Sequence, residues 1–333
     1  MNERLDRAAG ALYGLAVGDA LGMPTESFPR SVIVERYGEL IDGFHPGRPD
    51  QPVAPGLLAG TVTDDTEQAV LLGELLVSSG GRVDPAELGR RLLAWEESVR
   101  ARGVGGLLGP STKRAVAALA AGADPVDAGR SGTTNGAAMR IAPVGIAVAD
   151  RDALLERVVE VCIPTHGTGV AVAGAAAVAA AVSAGIEGAS AAEVVPEAVA
   201  AARRGAGRGR WVAAADVGAR IEWATGLVAG LAPAAALEVI ATLVGTGLPT
   251  QESVPAAFAV LAVAAGDPWL TCRLAASVGG DTDTIAAMAG AIAGACAGTG
   301  GLPPSAMATV TEVNDLHLDE LAAALLALRD TDR

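Results

Sequence analysis

Aromatic residues are nearly absent: four Trp, two Tyr and three Phe make up 3% of 333 residues, although 51% are hydrophobic. A core built without them must be filled by Ala, Val, Leu and Ile, whose small side chains let backbones approach closely. That suits packed helices and argues against a β-sandwich rich in aromatic and β-branched residues. Lysine is scarcer still. Lys113 is the only one, and 24 basic residues stand against 38 acidic ones for a net charge of −14. A field of that sign repels nucleic acid and anionic membrane, so neither is expected as a partner. A phosphate-bearing ligand would have to be held by local devices such as helix N-termini, arginines or bound cations. Cys162, Cys272 and Cys296 are odd in number and widely spaced. With no CxxC pair there is no disulfide framework, and buried thiols in a reducing cytoplasm are expected. The apolar runs at 170–186 and 285–298 are rich in Ala and Gly. Both fall short of about 20 strongly apolar residues and read as buried helices. Near the N-terminus, Glu3 and Asp6 interrupt the basic residues and Asp19 follows the apolar stretch. An amphipathic first helix fits better than a leader peptide.

What is present is helical periodicity along almost the whole chain, broken by Gly, Pro and Asp instead of by strand-like alternation. It predicts an all-α fold, a compact multi-helix bundle in a single domain over 1–333, with helices that include 3–20, 63–79, 137–149, 167–184, 211–230, 234–245 and 283–298. Three irregular segments interrupt it: Gly22 to Val62, "GRSGTTNGAA" at 129–138, and "SVGGD" at 277–281. Long ordered loops in a helical protein are where binding groups tend to sit.

"GTVTDDTEQAV" at 60–70 places Thr63, Asp64 and Asp65 at a helix start, and "GGDTDT" at 279–284 does the same with Asp281, Asp283 and Thr284. Either cluster alone is explained as well by helix capping as by metal binding. Together they offer four carboxylates and two hydroxyls. All are hard oxygen donors, with no Cys or helical His pair beside them, so Mg²⁺, Mn²⁺ or Ca²⁺ fits better than zinc. Four aspartates in one place repel unless cations neutralise them, and two divalent ions balance the charge. Such a pair of ions can grip a vicinal diol or phosphate oxygens and activate a water.

Five stretches, "GALYGLAVGDALGMPTE" (10–26), "TDDTEQAV" (63–70), "TNGAAMRIAPVG" (134–145), "THGTGVAVAGAAAVAAAV" (165–182) and "GGDTDTIAAMAGAIAGA" (279–295), occur in an order that resembles the ADP-ribosylglycohydrolases over about residues 8–300. The resemblance implies an all-α domain with a binuclear magnesium or manganese site in a cleft. Its ligands, carried over by position, are Thr63, Asp64, Asp65, Asp281, Asp283 and Thr284. It also implies hydrolysis of an N- or O-glycosidic bond, releasing ADP-ribose from a modified protein or a small ADP-ribosyl compound. By the same resemblance Glu26 is a proton-transfer or substrate-positioning group, Asp65 is catalytic as well as a ligand, and Asn135, Gly136 and His166 contact substrate. Asp19, an acid late in an apolar helix, needs a partner. Thr134 stands where many relatives are expected to carry glycine. Arg140 pairs with an acid or faces phosphate, and Trp95 or Trp269 would be the adenine-stacking group.

Rival readings stand beside this one. Prenyl-diphosphate enzymes, also helical and magnesium-dependent, place acids one helical turn apart, whereas here Gln68 stands four residues after Asp64. A two-carboxylate glycosidase needs no metal cluster. A hydrolase of a small ADP-ribosyl or N-ribosyl metabolite stays within the same chemistry.

Overall fold

The computed structural model describes residues 2–102 and 107–331. Among them no strand forms, and the helices run α1 Glu3–Gly22, α2 Arg30–Tyr37, α3 Asp64–Ser78, α4 Pro85–Ala101, α5 Pro110–Ala120 and α6 Pro125–Gly129. They continue with α7 Gly136–Met139, α8 Ala142–Ala147, α9 Arg151–Cys162, α10 Gly169–Ile186, α11 Val194–Ala206 and α12 Val217–Leu227. Then come α13 Pro233–Val239, α14 Thr250–Val263, α15 Pro268–Ala276, α16 Thr282–Ala297, α17 Pro304–Asn314 and α18 Leu318–Thr331. Many starts are written locally. Asp84, Asp124 and Asp267 each cap the helix that follows with a side-chain oxygen, and each precedes a proline at the first helical position. The aspartate accepts an otherwise unpaired N–H, and the proline has none to leave unpaired.

The periodicity is right about the helices and wrong about several limits. The segment 137–149 is two short helices, α7 and α8, separated at Arg140 and Ile141, with Pro143 inside the first turn of the second. The helix expected from 211 starts at Val217, because Asp216 is its cap. After α13 the chain widens into a π-helical turn over Ile240–Val244. The irregular stretch 22–62 contains α2, whose sequence "RSVIVERY" has little amphipathic contrast to signal it.

The centre of the molecule is α1 lying against α16. Glycine recurs every fourth residue along α1, at Gly10, Gly14, Gly18 and Gly22, which puts all four on one face. Facing them are Gly294, Gly290, Ala286 and the first turn of α16. A Cβ added to Gly14 would lie 2.1 Å from the carbonyl oxygen of Gly290, and one added to Gly290 would lie 2.1 Å from that of Gly14. The backbones touch directly, and no side chain fits between them. Helix α10 is long and apolar enough to cross a membrane, with a mean hydropathy of 2.0, but 89% of it is buried in the fold. A helix apolar on every side is explained by burial on every side.

Gly14→Ala or Gly290→Ala is expected to destabilise the fold by about 2 kcal/mol or more, the cost of forcing tightly packed backbones apart. Gly226→Ala in α12, whose new Cβ would meet nothing within 4 Å, should be neutral or stabilising by up to about 1 kcal/mol. Denaturant unfolding of the three variants measures both.

Candidate active site

The end of α1 builds the start of α3. Asp19 is fully buried and faces the first turn of α3. Its carboxylate accepts the Thr63 N–H at 3.0 Å, the Thr66 N–H at 3.1 Å, the Thr63 hydroxyl at 2.8 Å and the Thr66 hydroxyl at 2.5 Å. A negative charge at the positive end of a helix satisfies donors that the helix itself leaves open. Both oxygens of Asp19 are occupied, so it is the anchor of α3. Burial still pushes its carboxyl up to about 6, against the pull of those hydrogen bonds.

The start of α16 is built differently. Gly279 and Gly280 have φ of 90° and 78°, the left-handed region, and a Cβ on Gly280 would sit 2.4 Å from the Thr246 oxygen. The turn pairs with the segment after Glu26: Ser27 N–H donates to Gly280 O at 2.7 Å and Gly280 N–H to Phe28 O at 2.9 Å. Asp281 occupies the cap position but makes no capping bond with its side chain. Its Oδ2 accepts instead from Asn135 Nδ2 at 2.5 Å. Capping therefore does not explain this acid.

The two motifs meet. Asp65 Oδ2 accepts the Thr284 hydroxyl at 3.4 Å and lies 3.3 Å from Thr63 Oγ1. Carboxylate oxygens of Glu26, Asp281 and Asp283 lie within 4.8 Å of one another. Asp65 Oδ1 and Glu26 Oε2 are buried without a hydrogen-bond partner among the described residues. Burial first, and then the neighbouring carboxylates, hold Glu26, Asp64, Asp65 and Asp283 well above the ordinary carboxyl range. Burial also raises Asp281 to about 6, against the hydrogen bond from Asn135. Crowded, buried oxygen donors are a set that a hard divalent cation fits, because its charge removes the repulsion between the carboxylates.

These groups floor a cleft of about 340 Å³. Leu107, Leu108, Pro110, Met139 and Leu248 form its apolar walls, with Thr112, Thr134, Asn135 and Gly136 between wall and floor. No aromatic, Lys or Arg side chain lines it among the described residues. Trp95 donates to Glu67 at 2.6 Å and Trp269 packs against the core, so neither expected stacking residue is in the cleft. His166 does not line it either. The ring is fully buried, one layer behind, with Nδ1 2.7 Å from Thr165 Oγ1 and Nε2 3.1 Å from Thr134 Oγ1. Thr63 is fully buried and not part of the lining, but its Oγ1 borders the floor, 3.3 Å from Asp65 Oδ2. Arg140 is a fully buried cation outside the cleft lining; it donates to Gln68 Oε1 at 2.8 Å and Thr165 Oγ1 at 2.6 Å.

Gln68 was missed as a site residue. Its Nε2 donates to Asp64 Oδ2 at 3.2 Å, and the four-residue spacing that separated this motif from DDxxD is the one that puts both side chains on one helical face. The wall at Gly247 and Leu248 was also missed. It follows the π turn and is tied down by Glu252 Oε2 accepting the Gly247 N–H at 3.2 Å and by Leu248 O accepting the Asn135 N–H at 3.0 Å. No sequence signal announces it.

Fold and cleft together define an all-α protein whose active-site floor is a group of buried carboxylates suited to metal. The family model described as ADP-ribosylglycohydrolase matches residues 1–333, and the chain belongs to that family. It is 37% identical to the "Uncharacterized protein YegU" of Escherichia coli K12 over 98% of each chain. It is also 35% identical to the ADP-ribosyl-[dinitrogen reductase] glycohydrolase of Rhodospirillum rubrum, over 45% of this chain and 48% of that one. A solved structure titled "ADP-ribosylglycohydrolase-related protein complex" superposes with a TM-score of 0.74 at 28% identity, covering 98% of this chain and 99% of the other. Family membership makes the chain a glycohydrolase of ADP-ribosyl compounds.

The raised acids fix the sign of a pH effect. For Asp19 and Asp281 the folded value near 6 exceeds the ordinary 3.8. The stability they contribute is complete below the unfolded value and is lost as pH rises through the folded one. In chelator the melting temperature should fall between about pH 4 and pH 6, and divalent cation should flatten the fall. A metal-free melting temperature that rises over that window would contradict this account.

Proposed function

We propose that the chain hydrolyses the glycosidic bond between ADP-ribose and an N- or O-linked acceptor at a site for two divalent cations, Mg²⁺ or Mn²⁺. The observation that carries the reading is the meeting of Asp65 with Thr284, which joins two motifs more than two hundred residues apart around orphaned oxygens. Thr63, Asp64, Asp65, Asp281, Asp283 and Thr284 would hold the cations. When bound, the ions would neutralise the floor, grip the vicinal hydroxyls of the ribose and favour ionisation of the attacking water.

The side chains supply the rest. Asp65 Oδ1, unpartnered among the described residues, orients the water and accepts its proton. Burial, and then Asp283, Asp281 and Asp64, hold the Glu26 carboxyl well above its ordinary range, and its Oε2 would exchange a proton with the leaving group. Asn135 holds Asp281 from the side at 2.5 Å, and the Gly136 backbone leaves room for substrate beside it. Gln68, itself gripped by Arg140, fixes one oxygen of Asp64. The apolar walls limit the water that reaches the anomeric carbon. Water adds its hydroxyl there, and the departing acceptor takes the proton.

A panel of ADP-ribosylated arginine, serine and nucleobase conjugates and small ADP-ribosides, assayed with Mg²⁺, with Mn²⁺ and with chelator, tests the reading and separates protein-linked from small-molecule substrates. Turnover should require metal; activity undiminished after complete metal removal would sink the mechanism. Glu26→Gln should lower kcat by roughly 10²-fold or more while metal still binds. Asp65→Ala and Asp283→Ala should each lower metal occupancy, measured by elemental analysis, in a chain that remains folded.

A further inference from the structure

The hydrogen bonds behind the cleft have only one consistent direction. Arg140 can only donate, so Thr165 Oγ1 accepts from it at 2.6 Å. The other group in hydrogen-bond reach of that hydroxyl, among the described residues, is His166 Nδ1 at 2.7 Å. The Thr165 hydrogen goes there, because otherwise it stays unpaired in a site that is 1% exposed. The ring is neutral, since burial and the charges of Arg140 and Arg114 hold His166 well below the usual range. With Nδ1 accepting, the ring hydrogen sits on Nε2 and is donated to Thr134 Oγ1 at 3.1 Å. The Thr134 hydroxyl is thereby left with a hydrogen that has no acceptor among the described residues, at the lining of the cleft.

We propose that Thr134 Oγ1 is a substrate-binding donor of fixed polarity, aimed by Arg140, Thr165 and His166 at an oxygen of the phosphate nearest the reacting ribose. This deepens the reading of the site given above and rests on it. The neighbour Asn135 is bonded to Asp281, so Thr134 stands one residue from the carboxylate floor where the ribose hydroxyls would lie. The next group along the ligand is a phosphate, whose oxygens only accept. With no Lys or Arg in the described lining, a neutral donor is what the cleft offers it. His166 acts through Thr134 and is a positioning residue.

Calorimetry of the metal-loaded protein with ADP-ribose and with ribose 5-phosphate tests this. Thr134→Val should weaken both ligands by about tenfold, and Thr134→Ser should keep wild-type affinity. Unchanged affinity in Thr134→Val, or equal losses in both variants, would overturn the proposal, as would a loss confined to ADP-ribose. The ¹⁵N spectrum of His166 at neutral pH should show the Nε2-protonated neutral ring; protonation at Nδ1, alone or with Nε2, refutes the assigned direction. A wild-type protein that binds neither ligand removes the hydrolase reading as well, whereas normal wild-type binding with an unaffected Thr134→Val removes this inference alone.

Discussion

Helices α1 and α16 meet backbone to backbone, and the position of each group on the cleft floor follows from that contact. Glycines four residues apart on α1 let the two axes close until carbonyl oxygens rest where a Cβ would otherwise be. The last of them, Gly22, lies against the first turn of α16, where an added Cβ would come within 2.5 Å of the Asp283 nitrogen. The chain leaving α1 therefore passes directly beside the acids of α16, and Glu26 comes to rest among them. Three residues before Gly22, Asp19 reaches the other way and anchors α3. One helix end thus sets two acidic helix starts against each other.

That arrangement is electrostatically unfavourable by itself. Six carboxyl groups, Asp19, Glu26, Asp64, Asp65, Asp281 and Asp283, are buried around one cleft, and each is raised above its ordinary range. Neutral partners hold them in place: threonines for Asp19, Gln68 for Asp64, Asn135 for Asp281. Such partners orient a carboxylate without consuming its charge. The tight packing of α1 on α16 and the polar bonds around the floor resist the repulsion that would otherwise spread the site, and charge remains available for cations.

The cleft divides its work by chemistry. Its floor is anionic, its walls are aliphatic, and the band between them carries hydroxyls, an amide and backbone. A cation-poor lining among the described residues is consistent with a net charge of −14. Behind that band, the buried Arg140 serves two sides at once, steadying Asp64 through Gln68 and setting the direction of the bonds that end at Thr134.

Much of this was legible in the residues. Low aromatic content and helical spacing give an all-α fold, Asp-Pro pairs mark helix starts, and the two acidic motifs announce a shared site only when read together. Each of these signals lies in residues close together in the chain, where capping and periodicity operate. The remainder depends on groups brought together from a distance. Whether Asp281 caps a helix was decided by Asn135, which donors occupy the oxygens of Asp19 was decided by Thr63 and Thr66, and whether His166 lines the cleft was decided by the layer that buries it. The glycine spacing of α1 is visible in the sequence, but its partner on α16 is not. Sequence determined which chemical groups are present and on which elements; tertiary structure alone decided which oxygens stay unpaired and which way each hydrogen points, because desolvation and hydrogen-bond direction depend on neighbours in space.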